Sequence, residues 1–125
     1  MKARAVVAAA SAALALAVGL GAFGAHALRG RLSPEAMSIY QTAVQYHFWH
    51  GLGLLGVGAL SAQWPGSRGL TWAAGLLLAG LVLFCGSLYL LALSGQRWLG
   101  AVAPIGGGAF IAAWVLVACT AWRKP

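Results

Sequence analysis

The sequence predicts an all-α integral membrane protein: four transmembrane helices in an up-down bundle, with both termini in the cytoplasm. Three observations carry this reading. Of 125 residues, 62% are hydrophobic and 7% charged, where a soluble domain carries about 25% charged residues. Mean hydropathy is +0.86 and Glu35 is the single acid, so the surface has too few charges to stay dispersed in water. Four apolar runs are joined by short polar links, which make sequential helices antiparallel neighbours. A chain of this length forms one membrane domain, without room for a soluble module.

The first run covers residues 5–28, long enough for the ~20 residues that cross ~30 Å of hydrocarbon. Lys2, Arg4, an alanine-rich core and Ala25-His26-Ala27 also resemble a signal peptide. The run exceeds the ~15 residues of a typical signal core, and Ala13, Ala17, Gly21 and Ala25 form a small-residue stripe suited to close helix contact. We read it as a retained span.

The second run lies inside residues 36–62. Ser33-Pro34-Glu35 is a helix start: a capping hydroxyl, proline at the first helical position and an acid in the first turn. Ser38, Gln41, Thr42 and Gln45 recur at spacings of three and four and share a face. The expectation is an interfacial beginning over residues 35–45 and a membrane portion over 46–62, a division that leaves room for a kink between them. One tilted span over the whole segment is the alternative.

The third run, 70–93, holds Cys85, Ser87 and Tyr89 in an apolar helix. The fourth, 104–122, opens on Pro104, placed by sequence in a first helical turn, and continues Gly106-Gly107-Gly108. Three glycines cost about 1 kcal/mol each in helix propensity, so close approach of a helix or ligand is expected there. Cys85 and Cys119 fall at different depths and are expected to be free, buried thiols.

Orientation follows from the basic residues. Lys2, Arg4, Arg68, Arg123 and Lys124 fall at one end of this topology, and Arg29, Arg31 and Arg97 at the other. The more basic end is expected in the cytoplasm. Trp64, Trp72 and Trp122 would mark the inner interface and Trp98 the outer. The net charge of +7 comes from basic residues at helix ends, which meet anionic headgroups; no basic cluster suits nucleic acid.

At 1.5 Å per residue from each span's centre, His26 lies about 14 Å to the outer side, His47 about 10 Å and His50 about 6 Å. Ser87 and Gly107 come out at about 8–9 Å. The candidate site is therefore an outer-leaflet ligand pocket lined by His26, Tyr46, His47, His50, Ser87, Tyr89, Gly106 and Gly107. His26, His47 and His50 are also a candidate trinitrogen metal set, since imidazole suits zinc, copper or iron, with Tyr46 and Cys85 as additions. The competing interpretation is hydrogen bonding between helices. No CxxCH motif accompanies haem, and no cofactor is expected. Without aspartate there is no Ser-His-Asp arrangement, and one glutamate cannot make a carboxylate pair. A non-enzymatic accessory or scaffold of a membrane complex is the leading function. Binding of a metal, haem or small hydrophobic ligand is the alternative. The partners are the bilayer and, through small-residue faces, other membrane proteins or a second copy.

GAFGAHAL at 21–28, YHFWH at 46–50, CGSLYLLAL at 85–93 and PIGGGAFIAAW at 104–114 together resemble the small four-helix family termed domain of unknown function 423, or YgdD-like, related to animal transmembrane protein 256. The resemblance covers almost the whole chain. It implies a bacterial inner-membrane protein and no particular activity. The family usually shows Phe-Ser-Gly-Ser before Leu-Tyr; here Phe84-Cys85-Gly86-Ser87 stands in its place, which weakens any role needing a hydroxyl at position 85.

Overall fold

A computed structural model describes residues 1–125, nearly all in helices or the short turns between them. The helices are α1 (Ala3–His26), α2 (Pro34–Gln63), α3 (Arg68–Ser94) and α4 (Leu99–Arg123). Three of them, α1, α3 and α4, are long and apolar enough to cross a membrane. Polar side chains such as Ser38, Gln41, Thr42 and Gln45 dilute the apolar content of α2.

Contacts fix the directions. Gly24 meets Tyr40, Gly51 meets Leu14 and Gly58 meets Val7, so α1 and α2 run antiparallel. Gly69 meets Thr120 and Gly80 meets Phe110, so α3 and α4 do too. The α2–α3 pair is antiparallel by the contacts of Tyr46 with Phe84 and Tyr40 with Tyr89. The 27–33 and 95–98 links therefore share one end.

Each helix has a local cause. Ser33 accepts a hydrogen bond from the Ala36 amide at 3.1 Å, capping α2 with Pro34 in its first turn. Ser67 caps α3 through the Leu70 amide at 3.3 Å. Gly95, at φ 73°, ends α3 in the left-handed conformation that costs glycine little.

α2 is one continuous helix of 30 residues, so the expected interfacial beginning and membrane portion lie on a single element. Tyr40 and Ala43, in its first part, are as buried as Leu54 further on, so neighbouring helices pack against this segment too. Two expectations need correction. Pro104 is not in the first turn of α4, which begins at Leu99; it is the sixth residue, past the unpaired N–H groups of the helix start, so its ring removes the bond an N–H there would make to the Gly100 carbonyl. Cys85 is buried, but Cys119 is exposed, because it lies on the outward side of α4.

Residues Leu81–Gly86 of α3 form a π-helical turn, which the apolar pattern of the chain does not announce. Such a turn accommodates an extra residue and shifts the side chains after it relative to those before.

The main core joins Val6, Ala10, Leu54, Val57, Leu70, Ala73, Leu77, Cys85, Phe110 and Ala113. Leu28, Tyr40 and Ala92 form a second cluster near the 27–33 end. Outward, Leu16, Val18, Val82, Ile105 and Ile111 are each more than half exposed. Only lipid solvates such a continuous apolar surface without penalty.

Candidate functional site

The polar residues of α2 gather in the second cluster and beside it. Tyr40 is 1% exposed. Its hydroxyl donates to the Leu20 carbonyl of α1, and its ring fills the space over Gly24, where any Cβ would collide with it. The same ring meets Tyr89 of α3 edge-on, centroids 5.2 Å apart.

His47 completes this network. Its Nδ1 lies 2.9 Å from the Tyr89 hydroxyl, and the ring also faces the Ala13 backbone of α1. A helix carbonyl can only accept, so the nitrogen facing Ala13, Nε2, carries the proton. Nδ1 then accepts from the Tyr89 hydroxyl. One imidazole thus ties α1, α2 and α3. Such bonds average about 0.6 kcal/mol each in membrane proteins, but an unmade one in hydrocarbon costs several kcal/mol. No buried side-chain nitrogen or oxygen lacks a partner.

His50 occupies a different setting. Its Nδ1 donates to the Tyr46 carbonyl at 2.9 Å, within α2. That fixes the neutral tautomer with an accepting lone pair on Nε2. The ring stacks on Phe110 of α4 at 3.7 Å, interplanar angle 16°, with Trp114 at 6.0 Å and Tyr46 at 5.7 Å. Tyr46 in turn contacts Phe84 at 4.5 Å. An aromatic cluster from three helices therefore surrounds one imidazole.

Phe84 lies in the π turn, and α4 crosses it at Gly106. A Cβ on Gly106 would strike the Phe84 backbone. A Cβ on Gly107 would meet only the edge of the Phe84 ring, at 3.8 Å, and one on Gly108 would meet nothing. The expected close approach is thus real at Gly106 and absent at Gly108.

Of the eight candidate residues, Tyr46, His47, His50, Tyr89, Gly106 and Gly107 converge on this part of the fold. Ser87 is buried, but its hydroxyl donates to Phe84 in its own helix at 3.0 Å. His26 stands apart, exposed at the end of α1. The trinitrogen set is therefore not assembled, and no three ligand-type side chains converge elsewhere. His47 meets α1 at the level of Ala13, and His26 lies about 20 Å further along that axis. Tyr40 is the functional-looking residue the sequence reading missed. Its spacing of seven from His47 was the signal that could have found it, since both fall on one helix face.

Taken together, these helices and their closed polar network define a small helical membrane protein with a buried aromatic and histidine cluster. Residues 20–107 match the family described as protein of unknown function (DUF423), and the chain belongs to that family. It is similar to the UPF0382 membrane protein YwdK of Bacillus subtilis, 46% identical over 85% of this chain and 86% of that one. A UPF0382 membrane protein of Staphylococcus haemolyticus is 47% identical over 86% of this chain and 87% of its own length. One from Staphylococcus epidermidis is 51% identical over 82% of each. No solved structure matches.

Proposed function

We propose that this is a four-span protein of the bacterial inner membrane, both termini cytoplasmic, that acts without catalysis as an accessory or scaffold subunit of a membrane complex. The observation that supports this most is the outward face of α1. Ala5, Ala8, Ala12, Ala15, Gly19 and Ala22 are all exposed there. They recur at alternating spacings of three and four, the seam a second helix packs against. The inward seam of the same helix, Val6, Ala10, Ala17 and Gly24, is already covered. The polar groups of α2 support the same reading, because His47 and Tyr40 spend their hydrogen bonds on holding α1, α2 and α3 together.

The test is co-purification in mild detergent. Ala12→Leu with Gly19→Leu, on the outward seam, should release whatever travels with the protein and leave its melting temperature unchanged. His47→Gln should do the reverse, lowering the melting temperature while complex formation survives. If the outward-seam variant keeps every partner, or if the wild type migrates alone and monomeric, the scaffold reading is wrong.

A second reading, binding of a small hydrophobic ligand, haem or metal, rests on His50. Its locked tautomer leaves Nε2 as an acceptor beside Phe110 and Trp114. A Soret band or a stoichiometric metal in purified protein, lost in His50→Ala, would establish it.

A further inference from the structure

A cleft of about 510 Å³ runs between the end of α1 and the start of α2, its walls including Gly21, Gly24, Arg29, Gln41, Val44 and Gln45. Its chemistry is graded along its length. Arg29, beyond the end of α1, and Gln41 lie toward the 27–33 link. Gln45 sits one turn further along α2, about 6 Å from Gln41. Gly21 and Val44 line the wall between these two carboxamides, where a Cβ on Gly21 would come into ordinary contact with Val44.

We propose that this cleft holds one anionic phospholipid of the bilayer. The groups that line the cleft match such a molecule. A guanidinium meets the phosphate, carboxamide N–H groups reach the ester oxygens, and the small-residue stretch of α1 admits the start of an acyl chain beside Val44. Charge supports the same occupant. Eight basic residues face a single acid in the whole chain, so Arg29 has almost no carboxylate to compete for it, and a guanidinium binds phosphate through paired charge-assisted bonds. Gly21 also keeps α1 thin along the cleft, whereas the space over Gly24 is taken by the Tyr40 ring. This inference does not depend on the scaffold reading, because α1 meets a partner helix through its Ala5–Ala22 seam and the lipid through the opposite, α2-facing edge.

The experiment uses the full chain in mild detergent, titrated with short-chain phosphatidylglycerol, short-chain phosphatidylcholine and glycerol 3-phosphate, and read by melting temperature. Wild type should be stabilised by phosphatidylglycerol, less by phosphatidylcholine, and not by glycerol 3-phosphate. Arg29→Gln should weaken the phosphatidylglycerol effect about tenfold in midpoint concentration, the loss of one charge-assisted contact. Arg31→Gln and Arg97→Gln, outside the cleft, should leave it unchanged. Native mass spectrometry should show one lipid per chain in wild type and its loss in Arg29→Gln. Equal response to both lipids, equal loss in Arg31→Gln, or stabilisation by glycerol 3-phosphate alone would each overturn the assignment; the last would make the cleft a site for free phosphate esters.

Discussion

Tyr40 and Gly24 are fitted to each other. A ring of that size, 1% exposed between two helices, needs a neighbour without a side chain, and Gly24 supplies it. Gly24→Ala should therefore destabilise by about 1–3 kcal/mol, the usual cost of overpacking. In a Tyr40→Ala background the same change should cost little, because the colliding ring is gone. Thermal unfolding of the four proteins in one detergent gives the coupling directly. A coupling near zero would mean that the ring is not held over Gly24. The three glycines of α4 make a similar contrast. Gly106→Ala meets the Phe84 backbone, which cannot move aside as a side chain tip could, so it should lower stability. Gly108→Ala meets nothing and should raise stability by up to about 1 kcal/mol through helix propensity.

Among the elements, α3 stands out for its π turn over Leu81–Gly86. The turn sets two registers on one helix. Before it, Ala73, Ala74 and Leu77 face the main core, and after it Tyr89 and Ala92 face α2 and the second cluster. Removing one residue from a π turn returns it to an α-helix and leaves the rest of the helix in register, whereas a deletion in regular helix rotates everything beyond by about 100°. Deletion of Val82, which is 70% exposed, should thus preserve folding and the Tyr89–His47 contact. Deletion of Gly75, exposed and in regular helix, should abolish both. Yield and melting temperature in detergent distinguish the two, and equal damage from both deletions would count against this role for the turn. The length of α2 fits the same picture. Its first part is helical and buried at Tyr40 and Ala43 although its own sequence is not strongly apolar.

For the whole molecule, the antiparallel order puts Lys2, Arg4, Arg68, Arg123 and Lys124 at one end and Arg29, Arg31 and Arg97 at the other. Lys124 lies over the Trp64 ring at 5.7 Å, which draws the end of α4 toward the α2–α3 turn. Under the proposed orientation, Pro65→Cys should resist a membrane-impermeant maleimide in intact cells and react after lysis. Gln96→Cys should react in intact cells. A Cys119→Ala background removes the exposed native thiol, while Cys85 is buried. The opposite labelling pattern would invert the topology, and labelling of both positions from one side would remove a span. That second outcome bears on α2, the helix whose apolar content is lowest.

Much of this protein is legible in its chain because water and lipid act on composition and local order. Apolar content, helix caps such as Ser33 and Ser67, and the turns at short links depend on residues close in sequence, and they define four helices and their antiparallel order. Helices of known rise also place Tyr46, His47, His50, Tyr89 and Gly106 at similar depth. Depth along an axis does not give rotation about it. Only the packed structure decides that His26 stands about 20 Å along α1 from the level His47 reaches, that Tyr40 is the ring over Gly24, and that one of three consecutive glycines carries the close approach. The π turn belongs to the same class. It is a local change of register stabilised by contacts with α2 and α4, and contacts between distant residues leave no period in the sequence that would reveal it.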